Sequence, residues 1–323
     1  MNRIKIEINT VNNLLGFSAG VDSTALFHLM LEEGIDFDIA IVDYGQRVQS
    51  KDEVIYATQL AHKYGKKCFI SNYPNTLKFN EKDARDYRHN FFEEIINKNN
   101  YDSLITAHQL NDKLEWFLMQ FTKGAGLPEL IGMSKVRKKK NYLLLKPLLD
   151  VSKKELQNYL DINNIKYFLD ESNDDEKYKR NYFRHNFSNA LLEEYKSGVL
   201  KSFNYLEKDN QSFFDNTEYK KIEELTIFSF NGDSNIGLRL IDQNLKERGI
   251  IISHMTRDEI EKSREIVVSH TIAISILKNK IFIAPVVNVS MSKSFKEKCR
   301  TQKIPKNVRP YIFKLFEKGL FTF

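Results

Sequence analysis

Leu14–Phe27 reads LLGFSAGVDSTALF. A short apolar run, Leu14–Phe17, stops at Ser18. Small and polar residues follow, and then apolar residues return at helical spacing. That order is a strand, a tight turn and a helix start. In an open parallel sheet such a turn lies beyond the carboxyl end of its strand, where ligands bind. Free N–H groups at the helix start, together with its dipole, favour an anion there. Small residues let the backbone come close to phosphate, and Ser18 and Ser23 add hydroxyl donors. Asp22 would repel phosphate unless a cation lay between them, which points to Mg²⁺. The competing reading is a plain strand–turn–helix junction with a polar cap. The stretch is not the GxxxxGK(S/T) loop, because it has no lysine.

Outward from this stretch, strands and helices alternate. Phe37–Asp43 and Lys67–Ser71 read as strands. Ser50–Tyr64 between them carries apolar residues at helical spacing and is closed by Gly65. Lys82–Asn97 reads as a helix, Ser103–Ala107 as a strand and Asn111–Phe121 as a helix. Tyr142–Lys146 is a further strand, ended by Pro147, and Ser152 opens a helix with Glu155 at the capping-box position. The basic run Val136–Lys140 reads as a loop. The alternation predicts an α/β fold, a doubly wound and mostly parallel sheet with helices on both faces. The pattern changes after Tyr195. A helical stretch over Val199–Phe214 leads into the short segments Leu225–Phe230, Thr271–Leu277 and Lys280–Val287, which predict a smaller C-terminal α+β domain joined by a helical connector. The expected division is 1–195 and 196–323.

The chain has 323 residues, of which 41% are hydrophobic and 28% charged, an ordinary globular balance with room for two domains. No apolar run reaches the roughly 20 residues of a membrane span, and the first residues lack the apolar core of a signal peptide. The only cysteines are Cys68 and Cys299, far apart and outside any CxxC pair, which argues against a disulfide framework or zinc site and fits a reducing cytoplasm. The net charge of +6 suits a polyanionic partner, or simply a basic soluble enzyme.

Several motifs carry chemistry-bearing residues, each with a plain structural alternative. Asp43 ends a strand, followed by a plausible Ser50/Glu53 cap. Arg85 and Arg88 share one helix face, as solvated side chains or anion ligands. His108, Asp112 and Glu115 lie on the first turns of a helix, suited to a substrate ammonium, a metal or proton transfer, or else to capping and a structural histidine. Arg180 and Arg184 are an i, i+4 pair able to hold phosphate.

Ser18-Ala19-Gly20-Val21-Asp22-Ser23 resembles the SGGxDS signature of the N-type ATP pyrophosphatases, or PP-loop enzymes, with Ala19 in place of the first glycine. Further stretches resemble one PP-loop family, the tRNA(Ile)-lysidine synthases. Val42-Asp43-Tyr44-Gly45-Gln46-Arg47 with Ser50 and Glu53 resembles VDHGLRxxSxxE. Glu81–Arg88 resembles ExxARxxRY, with His89 standing for tyrosine. Thr106–Glu115 resembles TAHxxxDxxE. Lys123–Leu127 with Gly132-Met133 resembles RGAGxxGLxGM, Lys146–Leu149 resembles RPLL, and Asp170–Asn173 with Arg180–Arg184 resembles DxSN…RNxxR. The likeness covers about Ser18–Arg184; beyond Tyr195 no diagnostic motif appears.

The resemblance implies an adenine nucleotide alpha hydrolase-like sheet and a ligase that joins free L-lysine to C2 of the wobble cytidine of tRNA(Ile) with a CAU anticodon, through an adenylated base, releasing AMP and pyrophosphate. It implies ATP and Mg²⁺, with Ser18, Ala19, Gly20, Val21, Asp22, Ser23 and Asp43 binding nucleotide and Asp22 holding the metal. His108, Asp112 and Glu115 would serve lysine and the reacting centre. Arg88 and Arg184 would meet phosphate or the activated base. The basic run at 137–140 and the C-terminal domain would bind other parts of the tRNA. A cytoplasmic enzyme is implied, with a homodimer left open. A PP-loop thiolase would be expected to carry CxxC pairs, a GMP synthetase-like ligase fits the 106–115 and 180–184 segments less well, and a non-catalytic binding module is the alternative outside enzymes.

Overall fold

Leu14 and Leu15 set the layering. Both are fully enclosed, and because strand side chains alternate they enter opposite cores. Leu15 joins Leu26, Phe27, Ile39, Leu156 and Leu160 on one face, while Leu14 joins Phe92, Ile95, Ile96 and Leu104 on the other. A strand buried on both sides needs helices on both faces, and the computed structural model, which describes residues 3–46, 49–74, 80–169, 179–215 and 217–323, has them. The strands are β1 (Asn13–Gly16), β2 (Asp38–Asp43), β3 (Cys68–Asn72), β4 (Ser103–Ile105), β5 (Val136–Lys138) and β6 (Leu143–Leu145). Their order is β3-β2-β1-β4-β6-β5. All neighbours are parallel except β5, which runs antiparallel to β6 at the edge. Val136–Lys140 is therefore not wholly a loop: its first three residues form that edge strand, a place where charged side chains guard unpaired backbone.

The helices between these strands are α1 (Val21–Glu32), α2 (Gln49–Lys63), α3 (Glu81–Asn99), α4 (Leu110–Phe121) and the short α5 (Leu127–Ile131); α6 (Lys153–Ile162) follows β6. The Ser152/Glu155 capping box forms as its spacing predicts. The chain winds outward from β1 to β3, then returns to β4 on the other side of β1. This switch point lies between β1 and β4, so the turns after both strands face one crevice.

After α6 come α7 (Lys179–Phe183), a π-helical turn over Arg184–Ser188, and α8 (Asn189–Asp215), which is kinked at Tyr195 (φ −120°, ψ 19°). Asp170–Asn173, quoted above, lies outside the described residues. The chain divides into compact units at Met1–Asn210 and Gln211–Phe323, a boundary within α8. The second unit is an antiparallel sheet of β7 (Tyr219–Ile222), β8 (Leu225–Ser229), β9 (Glu265–Val268), β10 (Ile272–Ile276) and β11 (Lys280–Pro285), ordered β7-β8-β11-β10-β9. Its helices are α9 (Ser234–Glu247), α10 (His254–Ser263), α11 (Lys293–Thr301) and α12 (Arg309–Glu317). No helix of the described residues is long and apolar enough to cross a membrane, and both cysteines are free thiols.

Candidate active site

The loop after β1 is built to leave its donors open. Gly20 is the N-cap of α1 in an extended conformation, and no side chain caps the helix start. Ser23 is buried and accepts a hydrogen bond from the Ser18 backbone N–H at 3.1 Å; its Oγ also lies 3.1 Å from that of Ser18. The two hydroxyls thus fold the loop over the helix start. Ala19 is fully enclosed and left-handed, with φ +57°. An alanine there carries the steric cost that glycine avoids. A strap holds it: the Phe168 N–H donates to the Ala19 carbonyl at 3.0 Å, and Gly20 and Phe168 form a parallel bridge. Neighbouring chain thus restrains the one residue that departs from the motif.

Asp22 points from the first turn of α1 into the crevice. Its Oδ1 is buried without a hydrogen-bond partner. Burial first, then the carboxylates of Asp112 and Glu115, push its pKa up to about 7, against the pull of Lys153 and Arg184. A buried carboxylate oxygen with no donor beside an open helix N-terminus fits a cation shared with phosphate. Among the described residues no three His, Cys, Asp or Glu groups converge to hold a metal alone. Asp22 is the residue that would hold a Mg²⁺, which would supply charge neutralisation toward phosphate.

Across the crevice, α4 begins at Gln109. Asp112 is the N3 residue of a capping box, its Oδ2 accepting from the Gln109 N–H at 3.0 Å, while Oδ1 accepts from Arg180 Nη2 at 2.6 Å. Glu115 is wholly enclosed. Its Oε2 accepts from Arg180 Nε at 2.8 Å and its Oε1 from Arg184 Nε at 2.7 Å. The i, i+3 carboxylates of α4 therefore meet the arginine pair of α7 and the π turn. Glu115, expected to serve the reacting centre, has both oxygens on arginines. Arg184, expected on phosphate or base, binds Glu115 first. Arg180 was read only as half of a phosphate pair, and its carboxylate partners depend on long-range folding.

His108 lies between β4 and α4, its Nδ1 3.0 Å from Thr106 Oγ1. Burial, reinforced by Lys146, Arg180 and Arg88, lowers its pKa to about 4 despite Asp112. It is therefore neutral at pH 7. Arg88, on α3, is within reach of His108 and hydrogen-bonds Tyr44, while Arg85 is exposed. Asp43 ends β2 and accepts the Gly45 N–H at 2.8 Å. Arg47, quoted with it above, lies outside the described residues. Lys123 is exposed after α4. The glycines beyond it are structural. At Gly132 (φ +56°) an added Cβ would stand 1.9 Å from Trp116 Nε1, which donates to the Glu129 carbonyl.

The structure thus gathers Asp22, Asp112, Glu115 and Arg184, and sets His108 with Arg88 beside them. Sequence reasoning missed Lys153, which acts on Asp22, and Asn111, whose Oδ1 accepts the Lys153 N–H at 3.1 Å. A signal was present: Lys153-Lys154 opens α6, where the dipole disfavours cations.

An open donor loop at a sheet's switch point, facing an unpaired aspartate, defines a PP-loop protein, and the PP-loop domain family model matches residues 3–191. The tRNA(Ile)-lysidine synthase of Campylobacter jejuni (strain RM1221) is 42% identical over 302 residues, 93% of this chain and 92% of that protein. Its namesake from Helicobacter pylori (strain 26695) is 38% identical over 95% of this chain and 90% of its own length. The chain belongs to the tRNA(Ile)-lysidine synthases. In fold alone it resembles the U34-tRNA thiolase NcsA of Methanococcus maripaludis, at 17% identity and a TM-score of 0.50, over 62% of this chain and 73% of that one.

Proposed function

We propose that the chain ligates free L-lysine to C2 of the wobble cytidine of tRNA(Ile) bearing a CAU anticodon, using ATP, in the cytoplasm. The observation that carries the chemistry is the buried, partnerless Asp22 Oδ1 beside the uncapped start of α1. The α1 N–H groups with Ser18 and Ser23 would receive the phosphates of ATP. Asp22 would hold Mg²⁺, which when bound offsets charge on the departing pyrophosphate. The C2 oxygen of cytidine attacks the α-phosphorus, and the bond to the bridging oxygen breaks to release pyrophosphate. The neutral ε-amine of lysine then attacks C2, and the C2–O bond leaves with AMP.

An anticodon base is already unpaired, so turning it into the crevice costs little. Asp112, paired with Arg180, supplies negative potential for the α-ammonium of lysine. Glu115 acts as a positioning residue that fixes Arg180 and Arg184. Neutral His108, its ring fixed by Thr106, offers one nitrogen to the base or the transferred proton, and Arg88 stands ready for phosphate.

With lysine omitted, label in the α-phosphate of ATP should pass to tRNA(Ile), and Asp22→Asn should cut this transfer at least 100-fold. No label on tRNA(Ile) without lysine, and label on lysine once it is supplied, would overturn the order of steps.

A further inference from the structure

A second cationic cluster sits on the same rim as the phosphate loop. The registers Leu15↔Ile105 and Ile105↔Leu145 align the carboxyl ends of β1, β4 and β6, so Lys146 lies two strand spacings, roughly 10 Å, from the loop after β1. The Lys146 N–H donates to the Lys135 carbonyl at 2.8 Å, tying it to the edge strand, where Arg137 and Lys139 alternate onto one face. From the other side comes α3. Tyr142, at the start of β6, donates to Glu93 Oε1 at 3.0 Å. Eight residues back along α3, about 12 Å, Arg85 reaches the level of Lys146, four strand residues or about 13 Å beyond Tyr142. Arg88 and His89 flank it.

Lys146 is half-buried, and neither it nor Arg85, Arg137 or Lys139 makes an ion pair among the described residues. Burial, then Arg137, Arg85 and Lys139, lower Lys146 to about 8, and burial, then Arg88, Arg85 and Lys139, lower His89 to about 4 against the pull of Glu93. Lys146 is half-buried among like charges, with Glu93 acting on the His89 end of the cluster, and a bound anion offsets that repulsion. The phosphates of ATP are already served by the α1 start.

We propose that Lys146, Arg137, Lys139 and Arg85 form a site for a backbone phosphate of the RNA beside the target nucleotide. The site rests on the tRNA reading above, and it sets the register of the loop on the rim rather than performing chemistry. Phosphate contacts of this kind position a nucleic acid without reading its sequence.

The test is binding of unmodified tRNA(Ile) across a salt series, with KM for ATP measured in parallel. Each phosphate contact on single-stranded RNA contributes a slope of roughly 0.7 in log K against log salt. Arg137→Gln with Lys139→Gln should flatten the slope by about that one-phosphate amount, and Lys146→Gln should raise KM for tRNA about 10-fold. KM for ATP and the melting temperature of the double variant, at an exposed and a half-buried position, should stay unchanged. An unchanged slope, or a rise in KM for ATP alone, would overturn the proposal, the latter placing nucleotide phosphate at the cluster. If the wild-type protein binds tRNA with the predicted slope yet incorporates no lysine, the catalytic reading fails and this one stands.

Discussion

Ala19 and Asp22 are both costly residues, for different reasons. Ala19 holds φ +57° with its methyl packed in the core, and the strap through Phe168 keeps it there. Left-handed backbone costs an alanine about 1–2 kcal/mol, part of which its buried methyl offsets. The sequence locates this anomaly, but not the strap, which comes from far along the chain. Asp22 is raised to about 7 by burial and neighbouring carboxylates, above its value of near 3.9 in an unfolded chain. The folded state thus keeps a proton that the unfolded state has released. Stability is fully present below about pH 4 and is lost as pH rises through 7. Without nucleotide or divalent metal, Asp22→Asn should be more stable than wild type at pH 8 by roughly 2–4 kcal/mol, with the gap closing by pH 4. Urea unfolding at several pH values measures it. A gap that does not change with pH would show that the carboxylate is not strained by burial.

At the level of elements, α4 meets α7 and the π turn through charge as much as through apolar contact. Glu115 lies between two guanidinium groups, and Asp112 both caps α4 and pairs with Arg180. Removing one partner of a buried pair leaves the other charge uncompensated, at about 3–5 kcal/mol. Glu115→Ala should therefore lower stability by about 3 kcal/mol and abolish lysine incorporation, whereas Glu115→Gln should keep more of the stability. Denaturant melts of both variants decide this; an alanine variant as stable as wild type would remove Glu115 from its positioning role. The i, i+3 and i, i+4 spacings made these four side chains visible as candidates. Their pairing was not legible, because each spacing fixes a face of one helix and not the element opposite. The edge strand β5 was hidden for a related reason: the four basic residues in a row over Arg137–Lys140 show no period-2 pattern, yet lysines suit a sheet edge.

For the whole molecule, alternation of strands and helices was enough to place the Ser18–Ser23 loop beyond the carboxyl end of a strand in a parallel sheet, because each residue class there is set by local burial; the strand order that makes this the switch point was not legible. The second unit was less legible. Its strands are short, and α11 carries three lysines around two buried anchors, Phe295 and Cys299. No motif there names a ligand. The central claim is the reaction itself, and it is tested most directly by incubating the protein with ATP, labelled lysine and unmodified tRNA(Ile). The account predicts about one lysine incorporated per tRNA, at the wobble cytidine, matched by one AMP and one pyrophosphate. Pyrophosphate release with no lysine in the tRNA, or no ATP turnover at all, would contradict it.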